Sequence, residues 1–311
     1  MGKIAFIYPG QGAQYVGMAK DFYDAYPCAR DVFAKANYVS GLDMEALCFT
    51  ENENINITEY TQIAMLAAEI AMTEVVLNQG IKPDVAAGLS LGEYGALYAC
   101  GALSAQDALS VVRKRGIFMQ KAVPQGGSMV AVLGLDASVV EEVCKHAANE
   151  TGKIVSVANY NCPGQIVITG EEEGTKAAIE ELTTKGAKRC IPLKVSGPFH
   201  SSLLENAGKQ LGEVLDAVEI HDLKLPYIAN VNADYNRDKN AVKDLLVKQV
   251  SSSVRWQQSV QKMVEDGFDL FIEIGPGKTL SGFMRKIAPG VRVINIEKVA
   301  DLEKLKEIAH A

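Results

Sequence analysis

Hydrophobic and polar positions alternate with several different periods along this chain, and each period predicts an element. "KIAFIYP", near the start, is a continuous apolar run rich in β-branched and aromatic residues, which predicts a strand buried on both faces. "TEYTQIAMLAAEIAMTEVVLNQG" predicts a long helix, with Thr58 as its cap and Gly80 as its stop. "DVAAG" reads as a short strand, followed by a turn at Ser90 and a helix that ends near Gly101. Ser104 and Asp107 have capping-box spacing at the head of a further helix, which carries Arg113 and Arg115. Strands and helices in alternation predict an α/β fold with a mostly parallel sheet.

From Gly126 to about Ser196 the rhythm changes. "SMVAVLGL" is strand-like, "ASVVEEVCKHAANE" helical, "IVSVANYN" and "QIVITG" are strands joined by a Pro-Gly turn, "EEGTKAAIEELTTKG" is helical and "AKRCIPLKV" is a strand. That β-α-β-β-α-β order is the ferredoxin-like arrangement and predicts an inserted small domain. A helix, the strand "LPYIANV", two helices, the strand "FDLFIEIG", a helix, the strand "VRVINIE" and a closing helix then complete the larger domain. The expected division is residues 1–125 and 197–311 as one discontinuous catalytic domain and 126–196 as the insertion, with the active site in the cleft between them.

Composition narrows the chemistry. A chain of 311 residues, 48% hydrophobic and 22% charged, can bury a full core. Its net charge of -7, with no dense basic stripe, argues against nucleic-acid binding. The six cysteines (Cys28, Cys48, Cys100, Cys144, Cys162 and Cys190) form no C-x-x-C pair and no Cys/His cluster, so reduced packing thiols and no metal site are expected. "MGKIAFIYPGQG" enters a strand at once, and Glu69 and Glu74 interrupt the most apolar helix. The expectation is a cytoplasmic protein without membrane spans.

Candidate chemistry starts at "GLSLGEYGAL", where Gly88 and Gly92 frame Ser90 as G-x-S-x-G. The motif alone is a weak signal, but a strand before it and a helix after it make the context of a nucleophile elbow, whose glycines keep Cβ atoms out of a crowded turn. The helix start would offer the Leu91 backbone N–H to an oxyanion. A serine needs a base, and the chain has four histidines. His146 and His221 lie in polar surroundings and His310 lies next to the C-terminus, so all three read as surface residues, whereas "VSGPFHSSLLE" sets His200 between a Gly-Pro turn and a helix start. No acidic residue stands out as a third member, so a Ser90–His200 dyad is expected, with a backbone carbonyl orienting the imidazole.

"YPGQGAQYVGMA", "GLSLGEYGAL", "VRKRGIFMQ", "NYNCPGQIVITG", "GPFHS", "LVKQVSSSVRW" and "EIGPGKTLSGFMRK" occur in the order and approximate spacing of the malonyl-CoA:acyl carrier protein transacylases, and the chain resembles that family over essentially its whole length. The resemblance implies an α/β-hydrolase-like large domain with a ferredoxin-like insertion, and no cofactor. It implies that Ser90 and His200 are the catalytic pair and that Arg115 holds the free carboxylate of a malonyl group. It also implies that Gln11 gives the second oxyanion N–H, that the Gln249 main chain supports the histidine, and that Phe199, beside that histidine, favours malonyl over methylmalonyl. Two positions depart from the family: Leu89 stands where many members have His, and Ala13 where many have Ser. Neither is asked to do chemistry.

The reaction so implied is a ping-pong transfer of malonyl from malonyl-CoA through Ser90 to the thiol of acyl carrier protein, in fatty-acid synthesis. A serine hydrolase using the same dyad, and a catalytically silent module that docks a carrier protein, are the alternatives. Because carrier proteins of this kind are acidic, two sets of cations are candidates for docking: Lys185, Lys188, Arg189 and Lys194, and Lys278, Arg285 and Lys286.

Overall fold

The computed structural model describes residues 2–123, 125–195 and 197–309. The first apolar run forms β1 (Lys3–Tyr8). Its side chains serve two cores in alternation, Ile4, Phe6 and Tyr8 on one face and Ala5 and Ile7 on the other. A strand covered on both faces needs both sets apolar, which is why the run is continuous. Three helices that the hydrophobic pattern does not single out follow: α1 (Lys20–Ala25), α2 (Pro27–Ser40) and α3 (Met44–Phe49).

The long apolar helix is α4 (Thr58–Asn78), which Gly80 follows with φ 82°. Its cap falls on Ile57 instead of Thr58: Thr58 is already helical, and its hydroxyl accepts a hydrogen bond from Gln11 Nε2 at 3.0 Å, serving a neighbouring loop. Among the described residues α4 alone is long and apolar enough to cross a membrane, and 83% of its most apolar window is buried against the rest of the protein, so it is a core helix. The chain continues through β2 (Val85–Gly88), α5 (Gly92–Ala99) and α6 (Ala105–Ala122). Ser104 caps α6 by accepting the Asp107 N–H at 3.0 Å, and its hydroxyl donates to the Asp107 carboxylate at 2.6 Å. Asp107 is thus held by the hydroxyl, one half of the expected box.

Next come β3 (Gly127–Leu133), α7 (Ala137–Thr151), β4 (Val155–Cys162), β5 (Gln165–Glu171), α8 (Glu172–Thr184) and β6 (Arg189–Pro192). The four strands form an antiparallel sheet in the order β4-β5-β3-β6. Val130, Val132 and Ile168 pack against α7 and α8. Met129, Ala131 and Val167, of opposite parity on β3 and β5, line a cavity instead.

The remainder runs through α9 (Glu205–Leu215), β7 (Tyr227–Ala229), β8 (Asp234–Asn236), α10 (Lys239–Ser251), α11 (Trp256–Glu265), β9 (Phe268–Ile274), α12 (Thr279–Ile287), β10 (Arg292–Ile296) and α13 (Lys306–Ala309). The closing helix is mostly a 3₁₀ segment, Val299–Leu305. The larger sheet has the order β10-β9-β1-β2-β7-β8, parallel throughout except for β8, an unexpected antiparallel edge strand that turns back on β7. The molecule is thus a mixed α/β protein with a mostly parallel sheet. The smaller sheet is tied to the segment between α10 and α11, where the Tyr160 N–H donates to Val254 O at 2.9 Å and the Val254 N–H to Ala158 O at 2.8 Å. All six cysteines are free thiols, four of them buried.

Candidate active site

In a parallel sheet the carboxyl ends of neighbouring strands open onto one edge, where loops can converge. Here β1 leads into Pro9–Gln11, β2 into Leu89–Leu91 and β7 into Asn230. The turn after β2 is strained, since Ser90 has φ 55°, a left-handed conformation that non-glycine residues seldom adopt. Its two glycines are sterically required. A Cβ on residue 88 would lie 1.9 Å from the Gly92 carbonyl oxygen, and one on residue 92 would lie 2.2 Å from that of Tyr8. Asn230 secures the turn from β7, its Oδ1 accepting the Ser90 N–H at 2.7 Å while its Nδ2 donates to Gly88 O at 2.7 Å.

His200, itself at φ 61°, comes from the segment before α9 and is 4% exposed. Its Nδ1 lies 2.9 Å from the Gln249 carbonyl oxygen and its Nε2 lies 2.8 Å from Ser90 Oγ. A carbonyl can only accept, so Nδ1 carries the proton, Nε2 is the free lone pair, and the Ser90 hydroxyl donates to it. Burial, helped by the positive charge of Arg115, holds the imidazole down to about 4 from its ordinary 6.5, which keeps it an unprotonated base at neutral pH.

Arg115, on α6, is 1% exposed. Its Nη1 donates to Gln62 Oε1 at 2.7 Å, and its Nη2 to Gln249 Oε1 at 2.9 Å and to Ser90 Oγ at 3.1 Å. Its Nε has no acceptor among the described residues. The guanidinium is therefore clamped beside the serine with hydrogen-bonding capacity in reserve. Burial lowers its proton affinity, opposed by Tyr94 and Glu93 nearby. Gln249, on α10, is fully buried and joins the parts, because its Nε2 donates both to Ser90 O and to Glu93 Oε2, each at 2.8 Å. Burial pushes the Glu93 carboxyl up to about 7, against the hydrogen bonds from Gln249 and Asn230 and the charge of Arg115.

The backbone N–H groups of Gln11 and Leu91 have no acceptor among the described residues; Leu91 follows Ser90 in the turn, and Gln11 lines the same cavity as Ser90. The Gln11 side chain is tied away to Thr58. Phe199 is buried and lines a cavity of about 240 Å³ together with Gln11, Ser90, His200, Met129 and Asn161. The other described histidines stand apart on the surface: His146 pairs with Glu181 at 2.7 Å and His221 with Glu219 at 3.6 Å, while His310 lies outside the described residues. No group of three or more potential metal ligands occurs among the described residues.

The structure thus brings together every residue singled out for the site, Ser90, His200, Gln11, Leu91, Arg115, Phe199 and Gln249. Sequence reasoning does not find Asn230, Gln62 or Glu93. Asn230 lies in "IANVNADYN" with nothing to set it apart from loop asparagines, and Gln62 is one polar residue on a buried helix. Glu93 leaves a trace, as the one charged residue of α5.

An alcohol whose proton points at an unprotonated imidazole nitrogen, beside two free backbone N–H groups, suits a protein that passes acyl groups through serine. The family model for the acyl transferase domain matches residues 5–299. The chain belongs to that family and, within it, to the malonyl CoA-acyl carrier protein transacylases. The malonyl CoA-acyl carrier protein transacylase of Bacillus subtilis is 45% identical over 305 residues, 97% of this chain and 96% of the relative. The crystal structure of malonyl CoA-acyl carrier protein transacylase from Clostridium perfringens superposes with a TM-score of 0.94 at 41% identity, over 99% of this chain and 97% of that one. A malonyl-transacylase solved in complex with its type II PKS acyl-carrier protein also has a TM-score of 0.94, at 37% identity, over 98% of this chain and 99% of that one.

Proposed function

We propose that the protein transfers malonyl from malonyl-CoA to the phosphopantetheine thiol of acyl carrier protein, through malonyl-Ser90, for fatty-acid biosynthesis. His200 Nε2 takes the Ser90 proton as Oγ attacks the thioester carbonyl, and the oxyanion sits on the Gln11 and Leu91 N–H groups. The carbon–sulfur bond breaks, and the imidazolium returns its proton to coenzyme A, which leaves as a thiol. His200 then deprotonates the carrier thiol, which attacks the ester carbonyl. Ser90 Oγ leaves and takes that proton back. Gln249 O holds the imidazole in the tautomer that both halves need. Phe199 packs beside the base as a wall of the acyl cavity.

The observation that carries this reading is the placement of Arg115 Nη2 3.1 Å from Ser90 Oγ, the same atom that His200 Nε2 meets at 2.8 Å. A buried cation in hydrogen-bond contact with the nucleophile suits a short acyl group that ends in a carboxylate. A general hydrolase has no use for it, and a silent binding module has no use for the dyad. The large domain is proposed to be α/β-hydrolase-like, residues 1–125 with 197–311, and 126–196 a ferredoxin-like insertion. Supporting this are the strained turn after β2 and the sheet order β4-β5-β3-β6 with both helices on one face. A cytoplasmic location accords with the burial of α4 in the core.

The test is transfer itself: purified protein, malonyl-CoA and holo-acyl carrier protein should give malonyl carrier with stoichiometric release of free coenzyme A. Release of coenzyme A together with free malonate, and no loaded carrier, would establish the hydrolase instead.

A further inference from the structure

Arg115 can hold a carboxylate only if the groups around it accept its hydrogens in a fixed pattern. Gln249 Oε1 is one of those groups, and a glutamine amide can present either its oxygen or its NH₂ in nearly the same space. Turned over, Gln249 would aim NH₂ hydrogens at the guanidinium and an oxygen at two other oxygens. Two acceptors prevent this, Ser90 O and Glu93 Oε2, each 2.8 Å from Gln249 Nε2. The first is backbone of the turn. The second is a side chain, fully buried on α5, and the same oxygen also accepts the Asn230 N–H at 3.1 Å. One carboxylate oxygen therefore ties together the two residues that secure Ser90, one from α10 and one from β7. The other oxygen, Oε1, has no partner among the described residues. Burying a carboxyl so nearly unsolvated is costly unless its acceptor function is needed.

We propose that Glu93 is a positioning residue that acts through Gln249: its Oε2 sets the orientation of the Gln249 amide and so holds the Arg115 guanidinium for the substrate carboxylate. The inference rests on the reading that Arg115 takes the malonyl carboxylate. Because Oε2 does all the accepting, an amide oxygen can replace it, with the NH₂ of glutamine occupying the unpartnered site of Oε1. Methionine has similar length and no acceptor.

The experiment measures kcat/KM for loading of Ser90 from malonyl-CoA and from acetyl-CoA, by intact mass, in the wild type, Glu93→Met and Glu93→Gln. The malonyl-to-acetyl ratio should fall by at least about tenfold in Glu93→Met, the size expected when a charged group loses a fixed hydrogen-bonding partner. The loss should appear mainly in KM for malonyl-CoA, since Arg115 grips the carboxylate in ground and transition states alike. In Glu93→Gln the ratio should stay within about threefold of wild type, and in an Arg115→Ala background Glu93→Met should not change it further. If Glu93→Met does not fold, Glu93→Asp, which keeps the carboxyl but withdraws its oxygens by one methylene, carries the same expected loss. An unchanged ratio in a folded Glu93→Met, or Glu93→Gln losing as much as Glu93→Met, overturns the proposal while leaving the role of Arg115 intact. A wild type that loads acetyl as readily as malonyl overturns both.

Discussion

Replacing Arg115 with alanine should convert a malonyl-selective enzyme into one that loads acetyl at least as well. The guanidinium is 1% exposed and sits among Gln62, Gln249 and Ser90 with its Nε unpartnered. An incoming carboxylate can take the place of the 3.1 Å contact from Nη2 to Ser90 Oγ, the longest of the three, making a charge-assisted pair shielded from water. Truncating one partner of such a pair costs on the order of 2–4 kcal/mol, or about 30- to 1,000-fold in kcat/KM for malonyl-CoA. An acetyl group makes no such contact, so its loading should be preserved or improved. Folding stability should fall for a separate reason, since Gln62 Oε1 and Gln249 Oε1 lose their donor in a buried place, at about 1–3 kcal/mol each. Arg115→Lys should recover only part of the malonyl rate, because one ammonium cannot reach the glutamines and the carboxylate together. The assay is single-turnover acylation with each thioester, alongside thermal melting to separate stability from selectivity. Equal loss of malonyl and acetyl loading, tracking the drop in stability, would refute this account of Arg115.

Two further outcomes are expected. The free-enzyme profile for loading, kcat/KM against pH, should have its acid limb near about pH 4 and not near 6.5, since burial and Arg115 depress His200, and with acetyl-CoA the limb should move upward in Arg115→Ala. The sign follows from linkage: between those values the unfolded chain binds a proton on this residue that the folded one refuses, so the His200 contribution to stability is complete above 6.5 and is lost as pH falls toward about 4. Carrier docking should depend on the exposed cations that adjoin the cavity lining, because Lys194 lies between Leu193 and Val195, and Lys278 directly precedes Thr279. Added salt, or charge reversal within the correct set, should then raise KM for the carrier while loading from malonyl-CoA changes less, and indifference to both would remove these sets as the docking face.

Much of the architecture was legible because burial imposes composition. β1 had to be apolar on both faces, and α4 carries a long, mostly apolar run into the core, so both stood out as elements. The turn at Ser90 was legible because only glycine fits at 88 and 92. His200 stood out by elimination among four histidines. What stayed hidden depends on long-range contact. Asn230 meets Ser90 across 140 residues of chain, so nothing local marks it as structural, and the contact of Glu93 with Gln249, 156 residues away, is equally invisible to local pattern. Thr58 shows the same limit in reverse: its local role as a cap gave way to a distant partner, Gln11, 47 residues away. β8 is three residues long and pairs with β7 alone, too short for an alternating pattern to declare itself. The helices of residues 20–49 pack as an added layer around α4 and carry no motif.

The central claim, that Ser90 carries the malonyl group between two thiols, is tested most directly by intact mass after brief mixing with malonyl-CoA and no carrier. A single malonyl adduct should form, map to the peptide containing Ser90, persist in water for far longer than one turnover, and vanish on addition of holo-acyl carrier protein. Ser90→Ala should show none, with transfer reduced to the small residue that binding and the oxyanion site alone supply. An adduct that forms at the normal rate in Ser90→Ala, or transfer to the carrier that proceeds with no adduct on the wild type, would contradict the account.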